Sequence, residues 1–171
     1  MDELQRLVNL YSTRERASVN SKLDVLIDLE RVRDPRVVPF LVQIVMDPRE
    51  STDVRIHVMK QLRSGSGILV PADRPVVASA LADVLTKSTC EEIRLQAALA
   101  LGDFTSIDGV LSVLTVLSLV RDESLDLRYA AFTSIERAGA TPEAVAALRR
   151  IAADETLGDA ARSVLLAWHV S

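Results

Sequence analysis

The chain has 171 residues, and 49% of them are hydrophobic, which is enough to bury a core and excludes an intrinsically disordered chain. Only 4% are aromatic, and six glycines and six prolines argue against a turn-rich all-β protein. The formal net charge of −4 gives no support to nucleic-acid binding, and the single cysteine, Cys90, excludes an intramolecular disulfide framework.

The N-terminal segment is acidic at once and has no apolar run of the signal-peptide kind. The longest apolar stretch, residues 110–120, is interrupted by Ser and Thr and falls far below the roughly 20 residues of a membrane span. We therefore expect a soluble, cytoplasmic protein.

Helical spacing of apolar residues begins at the N-terminus. Residues 2–11 place Leu4, Leu7, Val8 and Tyr11 on one face, which predicts a short amphipathic helix. This helix has no partner helix of its own in the sequence, as expected for a cap at the end of a stack.

Two helices follow as a pair. The first covers residues 21–32, and Asp34 and Pro35 predict the start of the second. Asp accepts the first free amides of a helix, and Pro suits the first helical position. The second helix ends near Met46, before Pro48, because a residue preceding proline disfavours the helical conformation.

The next pair is interrupted. Ser51 or Thr52 opens its first helix, and the segment 64–73, with two glycines, predicts an irregular insertion before its second helix. Thr89 and Glu92 stand at the spacing of a capping box, in which the hydroxyl and the carboxylate each accept one free amide.

The clearest pair covers residues 91–122. Its small-residue first helix ends at Gly102, and its second helix, residues 110–120, is apolar on nearly every side. We therefore expect this second helix to be buried between two neighbours. After it, Gly139 predicts a left-handed helix end and Thr141 the start of another helix.

An arginine recurs near the start of each first helix. Arg55, Arg94, Arg128 and Arg162 stand 39, 34 and 34 residues apart, and Lys22 takes the place in the first pair. A period of this length built from paired helices is typical of a solenoid. We predict that these arginines reach neighbouring acids or loop carbonyls and form a ladder along the stack.

The pattern resembles HEAT repeats, especially the short bacterial type. The first helices DVRIHVMKQL, EIRLQAALAL and DLRYAAFTSI carry the resemblance, with RVVPFLVQIVMD and GVLSVLTVLSLVRD as second helices. Armadillo repeats need a third helix, and the aromatic and Gly/Pro signature of tetratricopeptide repeats is missing. The resemblance implies an all-α, right-handed α-solenoid of about four to five antiparallel helix hairpins.

This reading gives a single HEAT-like helical repeat domain over residues 1–171. Its parts are an N-terminal capping helix (1–16), four hairpins (17–50, 51–88, 89–122 and 123–155) and a terminal half repeat (156–171).

No catalytic or metal-binding motif emerges from the sequence. His57 and His169 lie more than 100 residues apart with no second ligand at zinc spacing. Cys90 falls at the start of a helix, where a thiolate is favoured, and we interpret it as a neutral capping-segment residue, with a reactive thiol as the alternative. We predict no enzyme activity, no metal and no cofactor.

In HEAT repeats the second helices line the concave side, so residues off their core stripes are candidates for partner binding. The alternative for each is packing between repeats, and Trp168 either packs on the preceding repeat or forms an end contact. The candidates are Arg36, Phe40, Gln43, Ile44, Met46, Asp83, Lys87, Thr115, Leu119, Arg150 and Trp168.

The resemblance implies a non-catalytic interaction scaffold or adaptor that binds an unidentified protein or peptide through its curved second-helix face. One alternative is a nucleic-acid-binding or DNA-repair protein, which requires a basic groove with aromatic platforms. Another is an accessory protein for a tetrapyrrole enzyme, similar to the bilin lyases, which resemble this repeat family too; nothing in the sequence selects a bilin.

Overall fold

A computed structural model describes residues 1–13, 19–63 and 69–170, and every regular element in these ranges is helical. A short 3-10 turn, Pro71–Asp73, precedes α5. The α-helices are α1 (Glu3–Thr13), α2 (Val19–Leu29), α3 (Val37–Met46), α4 (Thr52–Gln61), α5 (Arg74–Lys87), α6 (Glu91–Leu101), α7 (Val110–Leu119), α8 (Leu125–Glu136), α9 (Pro142–Ile151) and α10 (Gly158–Ala167).

The helices form two compact units, Met1–Ala80 and Leu81–Ser171. In the N-terminal unit α1 packs on α2, and α4 packs on both α2 and α3. Its core is aliphatic, with Leu7, Leu26 and Leu41 fully buried. Burial of such side chains is the main stabilising contribution, at about 25 cal/mol for each Å² removed from water.

In the C-terminal unit the first helices and the second helices form two layers. The first helix α6 lies along α8, and the second helix α7 lies along α9. Alanines 97, 98 and 131 are fully buried, so the small-residue first helices approach closely. At Gly102 an added Cβ would lie 2.6 Å from Nη1 of Arg137 and 2.9 Å from Oγ of Ser134.

Side-chain caps fix three helix starts. Oγ of Ser51 and of Ser124 and Oγ1 of Thr141 each accept the amide three residues later, at 3.3, 3.3 and 3.2 Å. The starts predicted at Ser51 and Thr141 are confirmed. Gly139 has φ +75°, which confirms the left-handed helix end predicted there.

One predicted capping box and one predicted helix start are wrong, although α6 begins at Glu91 as expected. The N-cap of α6 is Cys90 rather than Thr89, and it makes no side-chain cap bond. Glu92 is therefore one position too early in the helix for a capping box. Helix α3 begins at Val37, two residues after Pro35, because Asp34 accepts the amide of Arg36 in a turn that precedes the helix.

Residues 64–68 of the predicted insertion lie outside the described residues. Residues 69 and 70 lead into the 3-10 turn, where a carboxylate oxygen of Asp73 accepts the amide of Val70 at 3.1 Å.

Candidate functional site

The arginine ladder predicted from the sequence is confirmed. Nε of Arg55, Arg94 and Arg128 donates to the carbonyls of Val45, Leu85 and Ser118, each at 2.8 Å. These carbonyls lie at the ends of the preceding second helices α3, α5 and α7, where helical carbonyls lack partners within the helix. The guanidinium groups thus cap the second helices.

Two cations at this position of the repeat, Lys22 and Arg94, also meet an acid in the loop before the next first helix. Lys22 lies 2.9 Å from Glu50, and Arg94 lies 2.5 Å from Glu123. The two hydrogen bonds from Arg94 hold the pKa of Glu123 below its usual value. These pairs join successive hairpins, so the repeated cations contribute to the fold.

An aromatic cluster completes the pair in the N-terminal unit. The hydroxyl of Tyr11 donates to Oε2 of Glu50 at 2.5 Å, and its ring packs edge-on against Phe40, with centroids 5.5 Å apart. Burial raises the pKa of Glu50, but hydrogen bonds from Tyr11, Lys22 and the Ser51 amide outweigh it, and the pKa is lowered overall.

A cavity of about 670 Å³ lies between α7 and α9 in the C-terminal unit. Thr115 forms part of its wall and is buried, with its hydroxyl bonded to the Leu111 carbonyl at 2.6 Å, while Arg150 is exposed at the edge. The lining consists of Thr105, Ser106, Ile107, Asp108, Gly109, Leu111, Ser112, Thr115, Ala138, Thr141, Glu143, Ala146, Ala147 and Arg150.

A second concavity, here called the α5–α7 groove, has a volume of about 360 Å³. Its lining is mainly aliphatic and consists of Leu85, Thr86, Arg94, Ser112, Val113, Val116, Leu117, Val120 and Glu123. Val116 is 54% exposed, and Ser112 lines both the cavity and the groove. We call the exposed residues Ser112, Val116 and Val120, with the two concavities beside them, the α7 surface.

Comparison of the sequence with models of known protein families gives a match. A family model described as HEAT repeats matches residues 78–167, more than half of the chain. The chain belongs to the HEAT-repeat family. No curated protein matches the chain. HEAT repeats are generally protein-interaction scaffolds, and the predicted fold class, an all-α solenoid of helix hairpins, is confirmed.

In the N-terminal unit of this HEAT-repeat chain, the candidate residues have different surroundings. Gln43 and Met46 are exposed, Phe40 is half-buried against α1, and Ile44 is buried, so Ile44 belongs to the core and not to a binding surface. Arg36 is exposed and bonds Asp34, which lowers the pKa of that carboxyl to about 2.

In the C-terminal unit, the structure brings Thr115 and Arg150 together in the cavity. The side chains of Asp83 and Lys87 form an ion pair at 2.5 Å on α5. Leu119 and Trp168 are half-buried and lie outside the lining of both concavities. Within this unit, the candidate residues therefore do not line one common concavity.

The exposed valines of α7 were missed from the sequence, because residues 110–120 were expected to be buried between neighbours. Val116 shows that this expectation is wrong for one face of the helix. Leu114, by contrast, is fully buried as expected. The sequence alone carries no signal that separates these two positions, since both are aliphatic.

The titratable groups outside the ladder offer no metal site among the described residues. The described residues contain no group of three or more His, Cys, Asp or Glu side chains that can hold a metal ion. Cys90 is a free, half-buried thiol, and burial lowers the pKa of His57. Within the described ranges, no helix has both the length and the apolar character of a membrane span.

Proposed function

We propose that this HEAT-repeat chain is a non-catalytic scaffold that binds a partner polypeptide through the α7 surface. The observation that carries the proposal is Val116, which is 54% exposed in the wall of the α5–α7 groove, while Ser112 on the same helix lines both the groove and the cavity. An apolar strip framed by polar residues is typical of a surface that another chain covers.

The charges around the cavity favour a polypeptide over a nucleic acid. Asp108 and Glu143 contribute two carboxylates, against one guanidinium from Arg150. None of the described lining residues of the cavity is aromatic. A surface that binds nucleic acid instead combines clustered Lys and Arg with aromatic side chains on which bases stack.

Binding at the α7 surface needs little rearrangement of the helices. Helix α7 is held by α8 and α9, and the Ser118 carbonyl at its end is fixed by Arg128. A preformed surface avoids part of the entropic cost of ordering on association. Covering the valines supplies the hydrophobic contribution, and the hydroxyl groups of Ser112 and Thr105 supply polar contacts at the edge.

Two charge substitutions at positions of similar exposure test the proposal. Val116 and Leu125 are 54% and 49% exposed, but only Val116 belongs to the α7 surface. Tagged Val116→Asp and Leu125→Asp chains, with the unchanged chain as reference, are purified from source cells, and the co-purifying proteins are quantified by mass spectrometry. We expect Val116→Asp to lose the stoichiometric partner and Leu125→Asp to keep it; equal retention contradicts the proposal.

The cytoplasmic location inferred from the sequence stays a prediction, as does the bilin-lyase-like alternative, which a visible-absorption titration with a bilin addresses directly.

A further inference from the structure

The α5–α7 groove has an internal counterpart in the N-terminal unit. The ion pair in the groove, Arg94–Glu123, corresponds in the repeat to the ion pair Lys22–Glu50 of the N-terminal unit. Two further positions correspond in the same register. Val113 and Phe40 each stand ten residues before the paired acid, and Leu85 and Tyr11 each stand two residues before the end of the preceding helix.

In the N-terminal unit an aromatic side chain fills this position. Tyr11 is buried, its ring lies 5.1 Å from the Lys22 ammonium, and it packs edge-on against Phe40. The Glu50 carboxylate accepts hydrogen bonds from the Tyr11 hydroxyl, the Lys22 ammonium and the Ser51 amide. Aromatic ring, cation and carboxylate thus form one closed cluster.

In the C-terminal unit, Leu85 and Val113 occupy the positions of the two aromatic residues Tyr11 and Phe40. Both line the groove of about 360 Å³. The side chains of Arg94 and Glu123 are 19% and 23% exposed, against 8% and 10% for Lys22 and Glu50. The corresponding ion pair is therefore less covered where the aromatic side chain is missing.

The carboxylate of Glu123 also has unused acceptor capacity. Within the described part of the chain it accepts two hydrogen bonds, both from Arg94. An ionised carboxylate offers about four acceptor sites. The groove thus combines an aliphatic wall, an arginine and a carboxylate acceptor, at the positions where Phe40, Lys22 and Glu50 surround Tyr11 in the N-terminal unit.

We propose that the α5–α7 groove takes a tyrosine side chain of the partner polypeptide. The ring lies against Val113 and Val116 and beside the Arg94 guanidinium, to which aromatic faces are attracted, and the hydroxyl donates to Glu123. This inference rests on the proposed function and names the residue that anchors the partner.

The tyrosine side-chain analogue 4-methylphenol tests the groove directly. It is titrated into the full chain carrying labelled, assigned valine and leucine methyl groups, and toluene is the control that lacks the hydroxyl. We expect saturable shifts of the methyl signals of Val113, Val116 and Val120. Binding of 4-methylphenol should exceed that of toluene by on the order of ten-fold, since a hydrogen bond to a charged group is lost with toluene.

Two variants locate the binding. Leu85→Tyr combined with Val113→Phe rebuilds the N-terminal cluster inside the groove and should abolish the shifts. Glu123→Gln leaves the aliphatic wall in place and should reduce the preference for 4-methylphenol over toluene several-fold. The second variant keeps the proposal testable if the first fails to fold.

Several results would overturn the inference. One is that the methyl signals of Val113, Val116 and Val120 shift no more than those of the exposed Leu166. Another is that toluene binds as tightly as 4-methylphenol. A dimer of this chain that dissociates on Tyr129→Ala, which removes the exposed tyrosine, would assign the groove to a second copy instead of a partner. If 4-methylphenol does not bind but Val116→Asp still loses the partner, the tyrosine anchor falls while the proposed function stands.

Discussion

Arg128 and Asp154 form a buried ion pair where α7 and α8 meet the loop before α10. Nη2 of Arg128 lies 2.8 Å from Oδ2 of Asp154, and the two side chains are 7% and 6% exposed. Nε of Arg128 donates to the Ser118 carbonyl at the end of α7, while Oδ2 of Asp154 accepts the amides of Thr156 and Leu157 before α10. One pair therefore connects α7, α8 and the loop that leads to α10.

Removing one partner of this buried pair should be strongly destabilising. Arg128→Ala leaves the Asp154 carboxylate buried without its cation, which costs about 3–5 kcal/mol of unfolding free energy. Urea denaturation, monitored by circular dichroism, measures this loss of unfolding free energy. The control is Arg121→Ala, because Arg121 and Glu155 form an ion pair with side chains 72% and 82% exposed, where we expect less than about 1 kcal/mol. Equal losses would show that burial of the pair is not decisive.

The Tyr11 hydroxyl should contribute measurably to the N-terminal unit. Tyr11→Phe removes the hydrogen bond to Glu50 and leaves the ring in place, which should cost about 1.5–3 kcal/mol. Tyr129→Phe serves as the control, since the Tyr129 side chain is 40% exposed, and this change should alter stability by less than about 0.5 kcal/mol. Thermal and urea unfolding of both variants measure the change in stability. An unchanged stability of Tyr11→Phe would contradict a stabilising role of the Tyr11–Glu50 hydrogen bond.

Stability should fall on acidification. Hydrogen bonds from Arg94 lower the pKa of Glu123 from its ordinary 4.5, and the pKa values of Glu50 and Asp154 are also lowered. The unfolded chain therefore binds more protons than the folded chain in this range. The contribution is fully present above pH 4.5 and is lost as the pH falls through the folded-state pKa values. Urea unfolding at a series of pH values should show a shallower decline in Glu123→Gln, and an identical decline counts against the linkage.

The close approach of α6 and α8 should make Gly102 intolerant of a side chain. An added Cβ lies 2.9 Å from Oγ of Ser134, which is fully buried and bonded to the Ala98 carbonyl at 2.7 Å. We expect Gly102→Ala to cost about 1–3 kcal/mol through overpacking. Combining it with Ser134→Ala should relieve part of this cost in a double-mutant cycle, and strict additivity would show that the two positions do not compete for space.

Features that recur in each helix hairpin could be predicted from the sequence. Regular spacing of Arg55, Arg94 and Arg128 predicted the ladder, because a residue at the same position of each hairpin meets the same carbonyl end of a second helix. Ser51 and Thr141 were recognised because an N-cap depends on local chemistry alone.

The candidate surface was harder to predict, because it depends on volumes contributed by distant residues. The groove beside α7 is open because Leu85 and Val113 occupy the positions that Tyr11 and Phe40 occupy in the N-terminal unit. An apolar helix gives no sign of which valine its neighbours fail to cover. Val116 was therefore assigned to the core, although it is exposed.

Site-specific photo-crosslinking tests the central claim most directly. A benzophenone amino acid is placed at position 116 on the α7 surface or at position 125 on α8, which are exposed to a similar degree. Illumination in source cells is followed by electrophoresis and mass spectrometry. The account predicts a discrete adduct with one partner protein from position 116 and none from position 125. Adducts of equal yield from both positions, or none from position 116, would contradict binding through the α7 surface.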